Sequence, residues 1–138
     1  MPVSIRQAAA IPVRDGLVLM ATSRNGRRWV VPKGRIEPGQ RAGEAALMEA
    51  WEEAGLLGLL DGEPVGSYHY EKDGRDHHVL VFVMRVTEQK ADYPERGTRQ
   101  LEWVTPEEAV RRIDEHGLRV LVREVFRSGQ PVAELEFA

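Results

Sequence analysis

The sequence predicts an α/β (α+β) fold in which a mixed β-sheet is covered by helices on both sides. Segments typical of strands precede, separate and follow segments typical of helices, as in mixed-sheet folds. Residues 79–84 are apolar at every position, which is typical of a strand buried on both faces. No repeat, low-complexity tract or linker divides the chain, so residues 1–138 are predicted to form a single domain.

Six segments are predicted to be strands, namely residues 4–13, 17–23, 29–31, 64–71, 77–86 and 99–104. The first two flank the turn "RDG", and the fourth and fifth flank "KDGRD". Both turns contain Asp followed by Gly, a pair that favours tight hairpins. The sequence therefore predicts two β-hairpins.

Three segments are predicted to be helices. The first covers residues 41–54 and ends at Gly55, which suits a left-handed helix cap. The second begins after Thr105 as N-cap, with Pro106 at its first position, and is expected to stop near Gly117. Residues 118–126 are predicted to form a third helix or a helical turn.

Composition restricts the class of protein. No apolar run approaches the roughly 18 residues of a membrane span, and the first residues lack the apolar core of a signal peptide. The chain has no cysteine, and its net charge of −3 does not favour nucleic acid. We expect a cytoplasmic protein, monomeric or homodimeric, that acts on a small molecule.

Basic residues are concentrated just before the first helix, at Arg24, Arg27, Arg28, Lys33 and Arg35. Such a cluster seen alone is best interpreted as a solvated loop. Here it precedes a helix with clustered glutamates, so cations and anions are expected to lie close together.

The first helix has an apolar stripe formed by Leu47, Ala50, Trp51 and Ala54, which is expected to face the core. Glu49, Glu52 and Glu53 fall on the other side, within an arc of about 100°. Like charges four residues apart, as at Glu49 and Glu53, cost a few tenths of a kcal/mol. A divalent cation would relieve this repulsion, and Mg²⁺ prefers one or two carboxylates together with phosphate oxygens. The segment therefore indicates a metal and phosphate site.

Residues 34–56, "GRIEPGQRAGEAALMEAWEEAGL", resemble the Nudix box, with matches at Gly34, Glu49, Glu52, Glu53, Gly55 and Leu56. This resemblance implies an α/β/α sandwich that hydrolyses a diphosphate linked to another group. It implies that Glu49, Glu53 and the backbone carbonyl of Gly34 hold Mg²⁺ or Mn²⁺, and that Glu52 is the general base or a further metal contact.

The flanking segments "SRNGRRW" and "PKG" are most similar to the branch of this family that cleaves diadenosine or diphosphoinositol polyphosphates. On that analogy Arg24, Lys33, Arg35 and Arg75 contact the phosphates of a nucleoside polyphosphate or diphosphoinositol-type substrate.

Two positions depart from the box, since Gln40 and Met48 replace its usual glutamate and arginine. Because both are neutral and cannot brace the catalytic glutamates by charge, we expect a slow hydrolase. The same departures leave open a nucleotide-binding module without hydrolysis. A nucleoside-diphosphate-sugar or RNA 5′-end pyrophosphohydrolase is a further alternative.

Overall fold

The computed structural model describes residues 4–127. The elements of this part of the chain are, in order, β1 (Ile5–Arg14), β2 (Leu17–Thr22), β3 (Trp29–Val30), β4 (Lys33–Arg35), α1 (Ala42–Ala54), β5 (Leu56–Leu60), β6 (Gly66–Lys72), β7 (Arg75–Gln89), β8 (Leu101–Val104), α2 (Pro106–Arg112) and α3 (His116–Arg127). Among residues 4–127, no helix has the length and apolarity needed to cross a bilayer.

The sheet is mixed, as predicted. Its centre is the parallel pair β1 and β7, in register from Ile5 opposite His77 to Val13 opposite Arg85. On one side, β1 pairs antiparallel with β2 and β4. The strand β2 in turn pairs antiparallel with β3 and β8. On the other side, β7 pairs antiparallel with β5 and β6. The antiparallel pairing of β4 with β1 brings Lys33 and Arg35, the last residues of the basic cluster, beside the middle of the sheet.

Helices cover both faces of the sheet, so the predicted fold class is confirmed. Val79, Val81 and Val83 of β7 join a buried cluster that contains residues of α2 and α3. Phe82 and Met84 join a second cluster that contains the alanines of α1. Residues 79 and 81–84 are thereby buried on one face or the other, as the apolar run predicted, and Leu80 is partly buried against the second cluster.

Both predicted hairpins are present. Asp15 and Gly16 have φ angles of 52° and 77°, and Asp73 and Gly74 have φ angles of 54° and 73°. Two successive residues with positive φ match the twist of the flanking strands, which explains the Asp-Gly pairs. Gly55 caps α1 with φ 70°, also as predicted.

Three predictions about elements were incomplete or wrong. The strands β4 and β5 were not predicted, and β5 reads "LLGLL" but is extended because it pairs with β7. The second helix ends at Arg112, not near Gly117. It stops because Ile113 is extended, fully buried, and bridged to Trp29 in parallel.

The face that α1 buries also differs from the predicted stripe. Its contact with the sheet is made by alanines, at Ala45, Ala46, Ala50 and Ala54. Trp51, expected in the core, is only half-buried. The small side chains allow α1 to pack close to the sheet. Glu53 is buried as a result, and only 5% of its surface is exposed. The burial of Glu53 determines the chemistry of the candidate active site described below.

Candidate active site

The carboxylate of Glu49 lies directly against the backbone of β4. A Cβ atom placed on Gly34 would be 2.2 Å from Cδ of Glu49 and 2.5 Å from both of its oxygens. Glycine is therefore needed at position 34, since any side chain would push the carboxylate away. The structure brings Glu49, Glu53 and Gly34 together, as the sequence predicted.

Glu49 and Glu53 form a buried carboxyl pair with elevated proton affinity. Burial raises the pKa of Glu53 to about 8, against the opposing charge of Arg99, and the hydrogen bond and charge of Glu49 raise it further. Burial also raises the pKa of Glu49. Near neutral pH the Glu53 carboxyl therefore keeps its proton and donates it in a hydrogen bond to Glu49.

Arg99 and Glu95 complete this buried cluster, and neither was predicted. Nε of Arg99 lies 3.8 Å from Oε1 of Glu53, and Nη2 lies 3.8 Å from Oε1 of Glu95. Nη1 donates a hydrogen bond of 3.0 Å to the carbonyl of Thr22. Arg99 Nε and Glu95 Oε1 are buried without a hydrogen-bond partner, so polar groups here remain available to a ligand.

The backbone of Glu52 links α1 to the same loop. Its carbonyl accepts a hydrogen bond of 2.9 Å from the backbone amide of Glu95. The Glu52 side chain is half-buried, and its charge contributes to the raised pKa of Glu49. Glu52 thus borders the carboxyl pair.

A cationic cavity of about 340 Å³ adjoins the carboxyl pair, and it is lined by Ser23, Arg24, Asn25, Arg28, Val30, Lys33, Tyr70, Lys72 and Arg99. Two predicted residues, Arg24 and Lys33, lie here. Arg35 and Arg75 are exposed and do not line this cavity. Lys72 and Arg99 are far from the basic cluster in sequence, so only the folded sheet shows that they belong to it.

Lys33 connects the cavity to the carboxylates. Its ammonium lies 5.3 Å from the ring centroid of Tyr70. Burial lowers the pKa of Lys33, while the charges of Glu115 and Glu53 act in the opposite direction. Lys33 is therefore a partly desolvated cation that lines the cavity and also senses the charge of the Glu53 carboxylate.

The residues present fit a divalent cation. Within residues 4–127 no group of three acidic or histidine side chains forms a complete cage. A hard cation such as Mg²⁺ does not require one, because it binds through one or two carboxylates and retains water or phosphate oxygens. Loss of the shared proton would give Glu49 and Glu53 the charge that such an ion needs.

The carboxyl pair predicts an unusual pH dependence of stability. Because the folded-state pKa of Glu53 lies above its ordinary 4.5, at about 8, the folded state holds the extra proton between these pH values. The free energy of unfolding of the metal-free protein should therefore fall as pH rises from about 5 to 8, by roughly 2 kcal/mol or more. Denaturant titrations across this range would measure the fall, and Glu53→Gln should flatten it. An equally steep fall in the variant would contradict the assignment.

Comparison with known proteins identifies the family. A model of the NUDIX domain matches residues 4–125. The chain therefore belongs to the NUDIX family, as the box at residues 34–56 indicated. Diphosphoinositol polyphosphate phosphohydrolase 3-beta of Homo sapiens is 36% identical over 104 residues, which cover 74% of this chain and 62% of that protein. The chain thus spans less than two thirds of the length of the first curated relatives that it matches.

Solved structures show the same fold. The Ap4A hydrolase of C. elegans superposes with a TM-score of 0.74 at 18% identity, covering 91% of this chain and 98% of that chain. The E. coli ORF135 protein superposes with a TM-score of 0.69 at 28% identity, covering 94% and 95% of the two chains. Nudix hydrolases generally need a divalent metal ion, which agrees with the carboxyl pair.

Proposed function

We propose that this chain is a Mg²⁺- or Mn²⁺-dependent pyrophosphohydrolase that cleaves a phosphoanhydride in a nucleoside polyphosphate or diphosphoinositol-type substrate. The observation that carries the proposal is the junction of two oppositely charged regions. Arg99, 3.8 Å from Glu53, connects the buried pair Glu49 and Glu53 to a cavity whose cationic side chains are Arg24, Arg28, Lys33, Lys72 and Arg99. In a protein of net charge −3, such a cavity favours an anionic ligand.

Glu49, Glu53 and the backbone carbonyl of Gly34 would hold the cation. When bound, it supplies charge to the phosphate oxygens and lowers the pKa of a water ligand. Oxygen ligands of this kind suit Mg²⁺ or Mn²⁺ better than softer metals. Glu52, at the border of the pair, would accept the proton of the attacking water.

The cationic side chains would hold the phosphates. Arg24 and Arg99 can form two parallel hydrogen bonds with one phosphate, whereas Lys33 acts as a point charge. Arg35 and Arg75 would contact only a substrate that extends beyond the cavity. The relatives support this class of substrate, since those named above act on diphosphoinositol polyphosphate and Ap4A.

A binding module is the second candidate, because Gln40 and Met48 lack the charges of the usual box. In the structure, Gln40 accepts a hydrogen bond of 2.9 Å from the backbone amide of Glu37, and Met48 is 47% exposed. Neither side chain contributes to the carboxyl pair. Arg99, however, already places a guanidinium beside Glu53, so the cluster retains a cation.

A substrate panel tests the proposed function. Dinucleoside polyphosphates, nucleoside triphosphates, nucleoside-diphosphate sugars and diphosphoinositols would be incubated with Mg²⁺ or Mn²⁺, and the products separated by chromatography. We expect cleavage at a phosphoanhydride that chelator abolishes. Tight binding of one of these compounds without cleavage of any would instead establish the binding module.

The phosphate contacts predict how variants respond to chain length. Lys33→Met and Arg24→Gln should raise KM by roughly tenfold for a dinucleoside tetraphosphate, the scale of one charge-assisted contact. The increase should be smaller for substrates with fewer phosphates. Arg27→Gln is a matched control, because Arg27 belongs to the same loop but does not line the cavity. A KM increase that is independent of phosphate number would rule out phosphate binding by Arg24 and Lys33.

A further inference from the structure

Lys33 and Tyr70, which both line the cationic cavity, contact each other across the sheet. The ammonium Nζ of Lys33 lies 5.3 Å from the centroid of the Tyr70 ring. This separation is within the limit of about 6 Å for attraction between a cation and an aromatic face. The two residues belong to β4 and β6, which are not neighbouring strands, so the contact depends on the tertiary fold.

The strand register explains why the two side chains meet. Lys33 pairs with Ala9 in β1, and Ala9 lies opposite Val81 in β7. Tyr70 pairs with His77 in β7, an even number of residues from Val81. Residues that pair directly, and residues an even number apart in one strand, share a face of the sheet. Lys33 and Tyr70 therefore lie on the same face, with β1 and β7 between them.

The ring of Tyr70 is itself held by two further contacts. Its hydroxyl donates a hydrogen bond of 2.7 Å to Oε1 of Gln7 in β1. The ring of His77 stacks against it, with centroids 4.7 Å apart and an angle of 17° between the planes. His77 is 8% exposed, and its Nδ1 lies 3.1 Å from the backbone carbonyl oxygen of Arg75. The sheet therefore determines the orientation of the Tyr70 ring.

A held ammonium binds phosphate better than a mobile one. The charge of a lysine is at the end of a flexible four-carbon stem, and ordering such a stem during binding lowers affinity. An aromatic face that already holds the ammonium reduces this cost. The ring also excludes water from one side of the cation, in agreement with the burial that lowers the pKa of Lys33. Less hydration strengthens the attraction between the ammonium and a phosphate oxygen.

We propose that Tyr70 is a positioning residue, which holds the Lys33 ammonium in the cavity before a phosphate chain binds. The inference deepens the proposed function and rests on it for the role of the cavity in phosphate binding. Tyr70 acts through Lys33 and does not itself contact the phosphates. Gln7 and His77 act one step further away, because they fix the Tyr70 ring.

Calorimetric binding of inorganic tripolyphosphate without metal tests the coupling between the two side chains. Tyr70→Leu should raise Kd by about fivefold, the scale of a partly desolvated contact between a cation and an aromatic ring. In a Lys33→Met background the same change should cause no further loss, because no ammonium remains to be positioned. In an Arg24→Gln background the fivefold loss should persist, because Arg24 pairs with Glu95 at 3.7 Å.

Two more variants separate positioning from general damage. Tyr70→Phe keeps the ring and removes only the hydroxyl, so it should bind tripolyphosphate within about twofold of the parent. His69→Leu is the matched control, because it removes a ring from the adjacent position of β6. His69 stacks on His78, at a centroid distance of 4.3 Å, on the opposite face of the sheet. Its replacement should leave Kd unchanged, and circular dichroism would check the fold of each variant.

An equal loss in Tyr70→Phe and Tyr70→Leu would show that the hydroxyl binds phosphate directly, and would overturn the proposal. No loss in Tyr70→Leu, a loss that persists in the Lys33→Met background, or a parent that does not bind tripolyphosphate would also overturn it. If the coupling is found but no compound of the substrate panel is cleaved, the positioning of Lys33 stands and the proposed hydrolysis fails. If cleavage is found without coupling, the positioning role alone fails.

Discussion

Replacing Glu53 by Gln is expected to lower turnover by at least about a hundredfold while the fold remains intact. The amide keeps the shape of the side chain but removes the charge that a divalent cation requires. Each tenfold loss corresponds to about 1.36 kcal/mol of transition-state stabilisation, and loss of a ligand carboxylate exceeds two such steps. Glu49→Gln should have a similar effect, because Glu49 shares the proton of Glu53 and lies against Gly34.

Steady-state kinetics and circular dichroism would measure these effects. Glu63→Gln is a suitable control, because it removes one negative charge from an exposed position outside the site. The Glu53 variant should also be more stable than the parent near pH 8 without metal, since burial of its ionised form is avoided. Full activity in a folded Glu53→Gln or Glu49→Gln variant would contradict the metal site.

Replacing Arg99 by Met is expected to reduce both catalysis and stability. The guanidinium is 10% exposed and lies between Glu53 and Glu95, so its loss leaves Glu53 without a paired cation and Glu95 with only the exposed Arg24, at 3.7 Å. Near neutral pH Glu53 is protonated, so Arg99 pairs with the partly exposed Glu95, and its loss should cost no more than about 3 kcal/mol, the lower end of the range for breaking a buried ion pair. We expect kcat/KM to fall by about a hundredfold and metal binding to shift to higher pH, because Arg99 opposes the raised pKa of Glu53.

Arg96→Met is the matched control, since Arg96 is exposed in the same loop. Adding Met48→Arg to the Arg99 variant should not restore activity, because position 48 faces solvent. Restoration by that second change would show that the arginine of the usual box position can reach the site. Thermal unfolding and kinetics at several pH values would separate the stability effect from the catalytic one.

Local chemistry explains the elements that were predictable from sequence. Two Asp-Gly turns require backbone conformations that few other pairs adopt, and Gly55 ends α1 for the same reason. By contrast, β4 and β5 are strands only because β1 and β7 pair with them over long sequence separations. Propensity does not contain that information.

In the candidate site, too, some features follow from local sequence and others depend on the folded structure. Helical spacing placed Glu49 and Glu53 on one face of α1, whereas Gly34 was implied by the resemblance to the Nudix box; their roles in metal binding remain predictions. The burial of Glu53 could not be predicted, because it depends on alanines that bring α1 close to the sheet. Arg99 carries no periodic pattern, and only the folded structure brings it to the basic cluster. The roles of Arg24, Lys33 and Glu52 remain predictions.

The most direct test of the account is a calorimetric titration of the parent and Glu53→Gln with Mn²⁺ at pH 7, in two buffers of different ionisation enthalpy. The pKa of about 8 predicts that Mn²⁺ displaces a proton from the parent, so the two buffers should give different binding enthalpies. Glu53→Gln should bind Mn²⁺ at least about tenfold more weakly, which is 1.4 kcal/mol, and release no proton. Equal affinity in both proteins, with no proton release from the parent, would contradict a metal site at Glu49 and Glu53.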